Sequence, residues 1–117
     1  MQGYEQTLKR PSWAIVAIAM VVVTALVSAV HVPAATPVAV GIKEFKFSPP
    51  SLTVPAGTTV IWTNNDEWRH TITSPTGAFG STGLSNGDTF AQTLTQPGAY
   101  QYFCSLHPRM QASVIVK

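Results

Sequence analysis

The sequence predicts an all-β domain, a sandwich or barrel of about seven short strands, and three observations predict it. From residue 38 onward apolar residues tend to alternate with polar ones, the period that gives a strand one face for a core and one for solvent. Turn-forming clusters separate the alternating runs: "SPP" at 48–50, "PAG" at 55–57, "NND" at 64–66, "SPTG" at 74–77, "SNGD" at 85–88 and "QPG" at 96–98. The part from residue 36 to residue 117 is also short. Such a chain buries only somewhat more than about 60% of the surface it exposes when unfolded, so a bound metal would add useful stability, and its core is expected to come from sheets.

The first run, 38–47, reads as a strand that stops at "SPP"; the second, 51–54, lies between those prolines and "PAG". Runs at 58–64 and 70–74 flank the "NNDEWR" turn, and 89–94 follows "SNGD". The last two strands are expected at 99–103, after "QPG", and at 112–116. Trp62, Phe45, Phe47, Phe90 and Tyr102 are assigned to the core or its edges. Tyr100, just past "QPGA", suits a tyrosine corner at the entrance of its strand. The glycine-rich stretch "TGAFGSTGLSNG" at 76–87 reads as a mobile loop.

The first third of the chain differs from the rest. Residues 13–30 form an uninterrupted apolar or small run without a charge, preceded by Lys9 and Arg10, and it is long enough to enter a membrane. Positive charge before such a run stays on the cytoplasmic side, so the domain that follows is exported, to the periplasm or the outer face of the cytoplasmic membrane. The small residues of "HVPAAT" suit cleavage after Ala34 or Ala35. Residues 1–35 are thus a signal peptide or an uncleaved anchor, and 36–117 are the domain; the membrane is a partner only through 13–30, if that run is retained.

Charge excludes one class of partner. Lys43, Lys46, Arg69, Arg109 and Lys117 stand against Glu44, Asp66, Glu67 and Asp88, scattered and nearly balanced, so no footprint for nucleic acid is present.

The chemistry lies in "YQYFCSLHPRM", 100–110, where Cys104, His107 and Met110 are each separated by two residues. Pro108 pushes His107 out of the helical region and removes a backbone donor, so 104–110 is expected to be a turn between strands in which the three side chains converge. Thiolate and thioether suit copper(I), and imidazole suits copper(II) as well. Only His70 can supply a second imidazole, because His31 lies at the end of the apolar run. Two histidines and a cysteine with a long axial methionine make a blue-copper electron-transfer site. Taken singly, a lone cysteine is a small buried hydrophobe and a lone methionine a gap-filler. Together the four donors are hard to explain as packing, and an odd cysteine in an exported chain is open to oxidation unless a metal holds it.

This loop, the upstream "WTNNDEWRHTI" and the opening "FKFSPPSLTVPAGTTV" resemble a small single-domain cupredoxin of the plastocyanin/amicyanin family, and the spacing before Met110 is most similar to amicyanin. The resemblance covers nearly all of 38–117 and matches His70, Cys104, His107 and Met110 position by position. It implies a Greek-key β-sandwich, one mononuclear type 1 copper site, a monomer that shuttles one electron, and redox donor and acceptor proteins docking near His107, with Leu106 and Pro108 beside it. Arg69 stands where relatives often have proline and Thr71 where many have asparagine; the Thr71 hydroxyl can still tie the two ligand loops together. Arg69 and Arg109, next to ligand residues, are placed to frame a docking face for an acidic or neutral partner.

The same residues bear on two other functions. Copper storage or delivery requires release of the ion, which exposed methionine- or histidine-rich tracts would serve, and the sequence has none. A copper enzyme needs further ligands, and one cysteine with two usable histidines does not provide them. No enzymatic activity is expected.

Overall fold

The computed structural model of the chain describes residues 24–29 and 35–117. Most of the apolar run at 13–30, and with it the expected signal or anchor, lies outside the described residues. No helix among the described residues is long and apolar enough to cross a membrane.

The described fold is all-β. Seven strands follow one another: β1 Val38–Lys43, β2 Lys46–Ser48, β3 Ser51–Val54, β4 Thr58–Asn64, β5 Thr89–Leu94, β6 Gly98–Cys104 and β7 His107–Val116. They form a four-stranded sheet, β2-β1-β4-β5, facing a three-stranded sheet, β3-β7-β6. The pairs β1/β4 and β3/β7 are parallel and the rest antiparallel, the crossing connectivity of a Greek-key sandwich.

The core follows from strand alternation. In β4, Thr58, Val60, Trp62 and Asn64 are buried and the residues between them half-buried. Opposite stand Tyr102 and Cys104 of β6 with Ala112, Val114 and Val116 of β7. Trp62 is the hub, its ring 5.5 Å from Tyr102 at 84° and 5.6 Å from Phe90. Cys104, two residues past Tyr102 on the same face, is the last rung of this apolar ladder. The expected tyrosine corner is present, with Tyr100 OH donating to the Gln96 carbonyl at 2.7 Å.

Four segments differ from the sequence reading, each because tertiary contacts override local pattern. The run 38–47 is a hairpin: Lys43 pairs with Lys46, and Glu44 and Phe45 form a two-residue turn with φ of 51° and 58°. This is a type I′ turn, which favours asparagine and glycine, and a left-handed conformation costs other residues about 1–2 kcal/mol each. The segment 70–74 is not a regular strand; it makes single bridges, His70 to Leu84 and Thr73 to both Gly80 and Phe103. The segment 76–87 is not a free loop but a strap along 70–74, tied by Ser81 N–H to the Ile72 carbonyl at 2.8 Å and by buried Phe79 and Leu84. Finally, β7 begins at His107, opposite Cys104, so the turn between the last two strands is only Ser105 and Leu106. Pro108 lies within an extended strand, which its fixed backbone geometry permits at the start of the pairing.

Candidate metal centre

Topology brings the candidate donors to one end of the sandwich. Ile42 of β1 lies beside Asn64 of β4 in a parallel pair, so the β1–β2 turn and the turn leading to His70 emerge at the same end. The bridge from Thr73 to Phe103 lays the His70 segment against the end of β6. Among the described residues, His70, Cys104 and His107 offer donor atoms that all lie within 4.8 Å of one another. The Cys104 sulfur is 3.7 Å from His70 Nδ1 and 3.6 Å from His107 Nδ1. Metal–nitrogen bonds of about 2.0 Å and metal–sulfur bonds of about 2.3 Å at angles of about 110–120° separate such donors by about 3.5–3.7 Å, so these residues fit a single ion.

Hydrogen bonds fix the donors from behind. His70 is fully buried, and its Nε2 lies 3.0 Å from Asp66 Oδ2. An ionised carboxylate only accepts, so Nε2 carries the proton and the Nδ1 lone pair faces the sulfur. The His70 imidazole beside it, and then the Phe45 N–H at 3.1 Å, hold the Asp66 carboxyl below its usual range. Asn64, also fully buried, donates from Nδ2 to the Trp68 and Leu84 carbonyls, each at 2.8 Å, and accepts from the Asp66 N–H at 2.9 Å. One amide thereby pins the turn that carries Asp66 to the strap that pairs with His70.

Thr71 does what its hydroxyl allowed. Its N–H points at the Cys104 sulfur at 3.3 Å, and its Oγ1 accepts from the Ser105 N–H at 2.8 Å. That oxygen also lies 2.9 Å from Thr73 Oγ1 and 3.0 Å from Ser105 Oγ, so three hydroxyls link the two ligand segments. The two arginines differ. Arg69 lies against the strap, where a β-carbon on Gly83 would come within 2.5 Å of its guanidinium and push that side chain aside. Arg109 instead lines a hollow of about 450 Å³ with Phe45, His107, Pro108 and Met110. Met110 is buried and lines both this hollow and the adjoining one beside Phe47, Ser48 and Pro50.

Phe45, assigned to the core or its edge from sequence, is 41% exposed and stands over the donors. Its ring meets His107 at 4.9 Å and 83°, and His70 at 5.4 Å and 87°. Trp68 continues the aromatic surface at 6.0 Å from Phe45 and is 62% exposed. Sequence reasoning also passed over Asp66, although a carboxylate four residues before a candidate histidine was a usable signal.

Soft sulfur and borderline nitrogen donors, spaced for one ion and buttressed by buried hydrogen bonds at the end of a packed sandwich, are the chemistry of a mononuclear type 1 copper protein. The family model of the cupredoxin-like domain matches residues 16–116, and the chain belongs to that family. Within it the chain is of the amicyanin type. It is 36% identical over 96 residues to amicyanin of Paracoccus versutus, covering 78% of this chain and 72% of the relative. Among solved structures, a purple cupredoxin from Nitrosopumilus maritimus is 34% identical with a TM-score of 0.64, covering 68% of this chain and 99% of the other. The copper-containing nitrite reductase of Thermus scotoductus is 32% identical with a TM-score of 0.66 over 70% of this chain, but only 22% of that longer protein is covered.

Proposed function

We propose that His70 Nδ1, Cys104 Sγ, His107 Nδ1 and Met110 Sδ hold one copper ion, and that the domain at 36–117 carries single electrons between redox proteins. The observation that carries this reading is the approach of the Cys104 sulfur to both Nδ1 atoms, 3.6 and 3.7 Å, in a setting already fixed by buried hydrogen bonds. Copper supplies the one-electron couple. The protein holds the donors in nearly one arrangement through Asp66, Thr71 and Asn64, so little has to move when the charge changes.

His107 is half-buried and is the donor nearest the rim. Exposed Leu106 and Pro108 adjoin it, with Arg109 beside them, a face suited to a partner whose own docking surface is apolar and edged with carboxylates. The run at 13–30 behind Lys9 and Arg10 supports export of the domain, with residues 1–35 as signal or anchor. We assign the chain no reaction of its own, because four protein donors leave no evident position for a substrate.

Carriage and delivery of copper differ in whether reduction releases the ion. The copper-loaded protein, titrated with ascorbate and then ferricyanide, is expected to exchange one electron per copper and to keep its metal through repeated cycles in the presence of a copper(I) chelator. Prompt loss of copper(I) to the chelator on each reduction would support delivery instead.

A further inference from the structure

Phe45 violates the preference of its own turn. Both turn residues sit at positive φ, Glu44 at 51° and Phe45 at 58°, where glycine and asparagine are at ease and a bulky aromatic is not. Such an outlier persists only when its surroundings over-determine it, and outliers of this kind gather at functional sites. The surroundings here are specific. The Phe45 N–H donates to Asp66 Oδ2, the oxygen that also takes the His70 Nε2 proton. Its ring stands edge-to-face against both histidines. Against the ring lies the hollow lined by Phe45, His107, Pro108, Arg109 and Met110, mainly apolar, with the Arg109 guanidinium and the His107 imidazole as its polar side chains.

We propose that Phe45 is a positioning and gating residue: its ring covers buried His70 and packs edge-on against His107, where the hollow reaches that donor, and keeps small anions drawn to Arg109 from reaching the metal. The proposal rests on the ligand set proposed above. An added ligand would favour one oxidation state and enlarge the rearrangement that accompanies electron transfer, so a closed site serves the carrier function. One carboxylate oxygen holds both the Phe45 backbone and the orientation of His70, so the ring is carried at a fixed place beside the two histidines.

The test uses the full chain loaded with copper(II) and inorganic azide as the probe. Azide in large excess is expected to leave the visible spectrum of the natural protein unchanged. Phe45→Gly, at ease at this φ, is expected to show a new azide-to-copper band that saturates with azide concentration. Its metal-free form is expected to melt at the same temperature as the natural metal-free protein or higher, because the turn is relieved. An azide-indifferent glycine variant, or a natural protein that binds azide equally well, would overturn the proposal. Should the glycine variant fail to load copper, Phe45→Asn, also tolerant of positive φ, is read in the same way; loss of metal from both would show that the ring only props the site and would overturn gating. A natural protein without any thiolate-to-copper band would instead refute the ligand set, which keeps the two failures apart.

Discussion

Replacing Cys104 by serine is expected to abolish the intense visible absorption of the copper(II) protein while leaving the sandwich folded. The sulfur is fully buried, within 3.7 Å of both Nδ1 atoms, and receives the Thr71 N–H at 3.3 Å. Serine puts a short hydroxyl there, a hard donor that stays protonated at neutral pH and cannot supply the thiolate-to-copper transition. Loss of a partner behind a ligand commonly costs about 10–100-fold in metal affinity, so loss of the thiolate itself is expected to exceed about 100-fold. Competition titration with a copper(II) chelator measures this, and thermal melting of the metal-free variant checks the fold. A serine variant that kept its colour would remove Cys104 from the site.

The largest effect on stability is expected from Trp62→Ala. Trp62 is fully buried and packs against Phe79, Phe90 and Tyr102 between the two sheets. Truncating such a side chain costs about 3–5 kcal/mol, a large part of the about 5–15 kcal/mol that holds a domain folded. Urea unfolding of the metal-free protein is expected to show a much lower midpoint with an unchanged slope. Trp62→Phe is expected to cost far less, because the indole Nε1 and the Tyr102 hydroxyl are both buried without a hydrogen-bond partner. Burial pushes the Tyr102 phenol up to about 12, and the indole N–H opposes this without reaching hydrogen-bond geometry. Removing an orphaned donor recovers part of what the smaller ring loses. Equal losses in the alanine and phenylalanine variants would contradict this view of the core.

What was legible in the sequence is what residue chemistry writes directly. The alternation at 58–64, 89–94 and 99–103 survives in β4, β5 and β6 because each strand has one face on the core. Cys104, His107 and His70, which the fold brings together, could be picked out because a thiolate and imidazoles are conspicuous in a chain with few such groups. The hairpin turn at Glu44 and Phe45 was not legible, since neither residue signals a turn and contacts with Asp66 and the two histidines hold it. The strap hides from sequence for the converse reason: its glycines suggest freedom, whereas the Ser81 and Leu84 backbone bonds and the buried Phe79 and Leu84 side chains remove it. The shortness of the Cys104 turn followed from strand pairing, which extends β7 back to His107 and which no local pattern displays.

The most direct test of the central claim is the visible spectrum of the metal-free protein as copper(II) is added. The account predicts an intense thiolate-to-copper band that grows to an end point at one copper per chain and vanishes reversibly on reduction. A colourless copper adduct, or absorption that continues to rise past one equivalent, would contradict it.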